Sequence, residues 1–96
     1  PIRFYLFNKD NVKSIYEYAM NWASEGDHGD IVRLMIEKGV NYFTNAILKS
    51  IKYNHINVLK IFLEQNIYLK HCFLVYASEC GNIDMVKLII NYYYDK

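Results

Sequence analysis

Apolar positions fall along the chain in helix-length blocks separated by short polar breaks. Ile31, Val32, Leu34, Met35 and Ile36 form one block in which only Arg33 and Glu37 are clearly polar. A segment apolar around most of its circumference predicts a helix buried between neighbours, not one lying on a surface. Matching blocks place such helices at roughly 30–38, 57–65 and 84–92. A second set of helices is expected at roughly 17–26, 45–53 and 72–80, where Met20, Ile47 and Leu74 share a column, as do Ala19, Ala46 and Phe73.

These columns arise because the chain repeats itself. "WASEGDHGDIVRLMI" (Trp22 to Ile36) and "YASECGNIDMVKLII" (Tyr76 to Ile90) match at Ala, Ser, Glu, Asp, Val, Leu and Ile, and their offset of 54 is twice 27. Midway, "KSIKYNHINVLKIFL" (Lys49 to Leu63) keeps the residue character. Ala23, Ser50 and Ala77 are small, Val32, Leu59 and Val86 are apolar, as are Leu34, Ile61 and Leu88, and Arg33, Lys60 and Lys87 are basic. A fixed period of this size marks a stacked repeat architecture.

Helix ends follow the same period. Asp27, Asn54 and Gly81 come after the first helix of each unit, and Gly39 and Asn66 after the second. Gly, Asn and Asp best tolerate the left-handed conformation that closes a helix, so these columns predict helix–turn–helix hairpins. Asp30, Asn57 and Asp84 are expected to cap the second helices through their side-chain oxygens. One hairpin cannot bury enough surface to fold alone, so neighbours must stack on both of its apolar faces. The fold class is therefore all-α, an α-solenoid of stacked hairpins.

Composition narrows the chemistry. The chain of 96 residues, 53% hydrophobic with net charge +1, fits one globular domain and gives no footing for nucleic acid or an acidic substrate. No apolar run is long enough to span a membrane. Cys72 and Cys80 lie on one predicted helix, their Cα atoms roughly 12 Å apart, against the limit of about 7 Å for a disulfide. Free thiols and an intracellular, reducing compartment, cytoplasm or nucleus, are expected. His55, His71, Cys72 and Cys80 lack the paired spacing of a zinc site. His28 adjoins Glu25, Asp27 and Asp30, but His28 and His55 recur in one column and are expected to hold turns. "GDHG" (Gly26 to Gly29) lacks the Lys and preceding strand of a phosphate loop. No catalytic, cofactor or metal residues are assigned, and no nucleic-acid, membrane or small-molecule partner is expected. Lys49, Lys52, Lys60, Lys70 and Lys87 are read as solvated charge, with Lys60 and Lys87 in an outer column opposed by Glu37 and Glu64.

The order of small residue, turn Gly, "VxxLL" and closing Gly resembles the ankyrin repeat, most closely over Tyr76 to Ile90. His28 and His55 fall where that repeat often carries His, and Trp22 and Tyr76 where it often carries an aromatic residue. The resemblance covers 19–94. The period of 27 is about six short of the family's 33, the loss falling between one second helix and the next first helix. The "TPLH" opening is replaced by Tyr18-Ala19-Met20-Asn21, Asn45-Ala46-Ile47-Leu48 and Cys72-Phe73-Leu74-Val75. The projecting β-hairpin is therefore expected to shrink to a tight loop. Shortened repeats rich in Ile, Asn, Tyr and Lys look like the ankyrin-like proteins of large and giant DNA viruses.

The resemblance implies a non-enzymatic protein–protein interaction module, with partner contact along the exposed side of the first helices and the adjoining loops. Carried onto this sequence, the contact positions are Glu25, Tyr42, Phe43, Lys52, Tyr53, Tyr68, Lys70 and Glu79, with Tyr53 paired with Tyr42 or Tyr68 as anchor. A host protein is the partner expected if the chain is viral; the alternative is a structural scaffold in a larger assembly such as a virion. Repeats are expected at 17–44, 45–71 and 72–96. Residues 1–16 are either a degenerate repeat, with "RFYLF" one period before "DIVRL" and Asn8 to Ser14 as its connection, or an N-terminal cap. Pro1 in place of Met, and Tyr93 in place of a closing Gly, predict a longer array.

Overall fold

The computed structural model describes residues 9–68 and 71–94. Among the described residues six helices follow one another: α1 (Lys9–Glu25), α2 (Gly29–Glu37), α3 (Thr44–Lys52), α4 (Ile56–Leu63), α5 (His71–Cys80) and α6 (Ile83–Tyr93). Among the described residues there is no strand, so the inter-repeat segments are plain loops. The inner helices α1, α3 and α5 form one row and the outer helices α2, α4 and α6 a second. Each helix touches its hairpin partner and its neighbour in the row. The resulting solenoid measures 45 × 23 × 22 Å. Its core lies between the rows, where Met20, Val32, Ile47, Leu59, Phe62, Phe73, Met85 and Ile89 are buried.

The same turn is built three times. Asp27, Asn54 and Gly81 hold φ of 63°, 59° and 76°. The next residue then donates its backbone N–H five positions back, His28 to Ala23, His55 to Ser50 and Asn82 to Ala77, at 2.8, 2.8 and 3.4 Å. Its own carbonyl accepts the first bond of the outer helix, from Val32, Leu59 and Val86. Gly39 and Asn66, φ 100° and 54°, close α2 and α4. All five left-handed positions are those expected from the sequence, because only a residue with a small or absent Cβ penalty fits there.

Three expectations need correction. The outer helices begin one residue early, at Gly29, Ile56 and Ile83, so their N-caps are His28, His55 and Asn82, and none caps with its side chain. Asp30 and Asp84 lie instead inside the first turn, where negative charge meets the positive end of the helix dipole. The expected connection at Asn8 to Ser14 is helical from Lys9 onward, a two-turn extension of α1 beyond the start of its counterparts α3 and α5. "RFYLF" lies outside the described residues. Helix α2 is not enclosed, since Ile31 and Leu34 are exposed; it is the first helix of the outer row and has a described neighbour on one side.

Candidate functional site

Inner helices bury one side against the outer row and leave the other open. In α1 the buried residues are Met20, Ala23 and Ser24, in α3 Ala46, Ile47, Ser50 and Ile51, and in α5 Phe73 and Ala77. Turning each helix half round gives an i, i+3, i+4, i+7 stripe. That stripe is Tyr18, Asn21, Trp22 and Glu25 on α1, Asn45, Leu48, Lys49 and Lys52 on α3, and Cys72, Val75, Tyr76 and Glu79 on α5. Every member is exposed or half-buried. Because the helices stack at one period, Trp22, Lys49 and Tyr76 line up across the face.

Trp22 is 70% exposed, and Tyr18 and Val75 nearly as much. These large groups stand in water on the side of the inner row that faces away from the core. Charge is interleaved with them. Lys49 Nζ lies 3.5 Å from Glu25 Oε2 and ties α3 to α1, while Lys52 Nζ stands 5.4 Å from the centre of the Tyr53 ring. Burial pushes the Tyr76 phenol above its ordinary range, and Cys80 beside it adds to the shift.

The turn-side edge of this face is braced by His55. His55 Nε2 donates to the Glu25 carbonyl at 2.8 Å, so the ring proton sits on that nitrogen. Nδ1 lies 3.8 Å from Asp27 Oδ1, and the Tyr53 ring stacks on the imidazole at 6.4 Å. The histidine thus holds a turn and braces two repeats. Among the described residues no cluster of three His, Cys, Asp or Glu side chains could hold a metal ion, and both thiols are free.

The residues expected from the sequence divide into two groups. Glu25, Lys52, Tyr53 and Glu79 lie on the inner face or its turn-side edge. Tyr42, Phe43 and Tyr68 sit at the opposite end of α3, roughly 13 Å away at 1.5 Å per residue. Tyr53 thus stands at one end of α3, and Tyr42 and Tyr68 at the other. Phe43 is half-buried, its ring 5.3 Å from Phe62, and it pins the loop to the core. Tyr42 and Tyr68, both exposed, rim a cavity of about 310 Å³ floored by Ile47, Ile67 and Phe73. Tyr68 also meets Tyr93 edge-on at 5.9 Å, and the hydrogen bond that the Tyr93 hydroxyl donates to Tyr68 raises the Tyr93 pKa. Lys70 lies outside the described residues.

Tyr18, Trp22, Val75 and Tyr76 were not among the positions expected to touch a partner. The signal for them was present: they fall on the side of each inner helix opposite the small, buried columns Ala23, Ser50 and Ala77.

The family model for ankyrin repeats (3 copies) matches residues 19–96. No curated protein and no solved structure matches. Three stacked helical hairpins, a thrice-built turn and a match over most of the chain agree, and the chain belongs to the ankyrin-repeat family.

Proposed function

We propose that the chain is a non-enzymatic module that binds a partner protein along the inner-helix face. Ankyrin repeats generally mediate protein–protein contact. The observation that carries the assignment here is the alignment of exposed Trp22 with Lys49 and Tyr76 across three helices. Aromatic residues dominate interface energetics, and Trp most of all. The partner segment supplies apolar side chains against Tyr18, Trp22 and Val75, and a carboxylate for Lys52. Glu25, Tyr53 and Glu79 border it, and Tyr42, Phe43, Tyr68 and Lys70 form a secondary contact at the loop end. Shortened repeats rich in Ile, Asn, Tyr and Lys support the finer assignment of a viral protein engaging a host protein.

Peptides selected by display on the immobilised chain test the surface. Trp22→Ala combined with Tyr76→Ala should weaken the selected peptides at least about tenfold, the loss of one hot spot. Lys60→Ala on the outer row should leave them unchanged. Equal affinity for the wild type and the inner-face variant, with loss in the outer-face variant, would move the site to the other side of the solenoid.

A further inference from the structure

The two joints between outer helices are built differently. At the first, Gly29 of α2 lets α4 approach so closely that a Cβ there would sit 2.8 Å from Ile61 Cδ1. The Arg33 guanidinium forks onto the Glu64 carboxylate beside α4, with N···O distances of 3.0 and 3.2 Å. One period on, Ile56 stands in the Gly29 column and Leu88 in the Ile61 column. A whole side chain then occupies the place where a single Cβ would collide. Here the joint opens into a cavity of about 430 Å³ against Ile56 and Leu88. A second cavity of about 340 Å³ continues it toward Leu63 and Tyr92, and Lys60, Leu88 and Asn91 line both. Both walls of this groove, α4 and α6, are described helices.

Charge is left over at the same joint. Lys60 and Asn91 stand in the Arg33 and Glu64 columns, so the base is kept and the acid is lost. Among the described residues Lys60 and Lys87 have no ion-pair partner, and Glu64, one turn from Lys60, is held by Arg33. The remaining acid on the walls, Asp84, lies at the Ile56 end with Lys87 one turn on. The groove is thus apolar at each end, with an unpaired cation between.

We propose that this outer groove is a second partner-binding site, which takes an extended peptide segment bearing one carboxylate side chain between two apolar ones. The carboxylate meets Lys60 as Glu64 meets Arg33 at the joint before. One apolar side chain covers Ile56 and Leu88, and the other covers Leu63 and Tyr92. Asp84 and Tyr92 stand roughly 12 Å apart along α6 at 1.5 Å per residue, which an extended chain covers in about four steps of roughly 3.3 Å. Alternate side chains face the groove, so the segment reads apolar-x-acid-x-apolar. The Asn91 amide both donates and accepts, and so pairs with the peptide backbone. The site lies on the opposite row from the inner-helix face, so the two stand or fall separately.

Peptide display on the Trp22→Ala, Tyr76→Ala variant tests the groove with the inner face disabled. Selected peptides should carry Asp or Glu two residues from an apolar side chain on each side. Adding Lys60→Glu to the same variant should weaken them at least about tenfold, because like charges then meet, while Lys60→Arg should retain them. Lys60 is exposed, so both changes should fold, as circular dichroism will check. Exchanging the peptide's acid for its amide needs no protein variant and should weaken binding about fivefold, the upper range of an exposed ion pair. A peptide with Lys in place of the acid should bind the Lys60→Glu chain better than its parent. A selection without binders, binders that lack the acid, or binders indifferent to Lys60→Glu would each overturn the proposal.

Discussion

Phe62→Ala should remove much of the stability of the array. Phe62 is fully buried on α4, the outer helix of the middle repeat, and its ring packs 5.3 Å from Phe43. Truncating a buried Phe costs about 3–5 kcal/mol, from lost transfer energy and the cavity left behind. A domain of this length has roughly 5–14 kcal/mol in total. The middle repeat is the only one with described neighbours on both sides, so its loss uncouples the outer two, and neither can bury its faces alone. Thermal denaturation should show a midpoint lowered by at least about 12 °C. A change below about 1 kcal/mol would mean that the middle hairpin is not the keystone of the stack.

Gly81→Val comes next in size and tests the turn. Gly81 has φ 76°, and a Cβ added there meets nothing within 4 Å. Crowding therefore contributes nothing, and backbone strain acts alone. A left-handed backbone costs an ordinary L-residue roughly 1–2 kcal/mol, and a β-branched one is a true outlier there. Gly81→Val should lower stability by at least that much in urea melts, and Gly39→Val, at φ 100°, should behave alike. Gly81→Asn should be mild, because Asn54 already holds φ 59° at the same position of the middle repeat. If Val and Asn melted together near the wild type, the closing role of this column would be lost.

Turns and columns were legible because they rest on local chemistry that repeats. Asp27, Asn54 and Gly81 have little in common except tolerance of positive φ, and their spacing alone identified the turn. Helix starts were misplaced by one residue because Asp30 and Asp84 favour the first turn as well as the cap, and the sequence does not separate the two. The reach of α1 to Lys9 was hidden for a similar reason: "KDNVKS" has the polarity of a loop, yet none of its residues forbids a helix.

The proposed binding face was only half legible. Glu25, Lys52, Tyr53 and Glu79 could be placed from the repeat pattern, since position within a repeat fixes the side of the solenoid. Trp22 and Tyr76 were passed over as family-typical aromatic residues, and aromatic residues are as often core as surface. Their exposure depends on the rotation of α1 and α5 against the outer row, which is set by packing of Met20, Ala23, Phe73 and Ala77. Phe43 is half-buried against Phe62. A loop position gave no hint that Phe62 would draw its ring inward.

Trp22 is the sole tryptophan of the chain, so its fluorescence reports on the proposed face without a label. In the free protein its emission should be that of a water-exposed indole and should be quenched readily by acrylamide. Saturation with a display-selected peptide should shift the emission to the blue and protect it from quencher, with a midpoint equal to the binding constant measured independently. Binding that leaves both the emission and the quenching of Trp22 unchanged would contradict the inner-helix face as the site of partner contact.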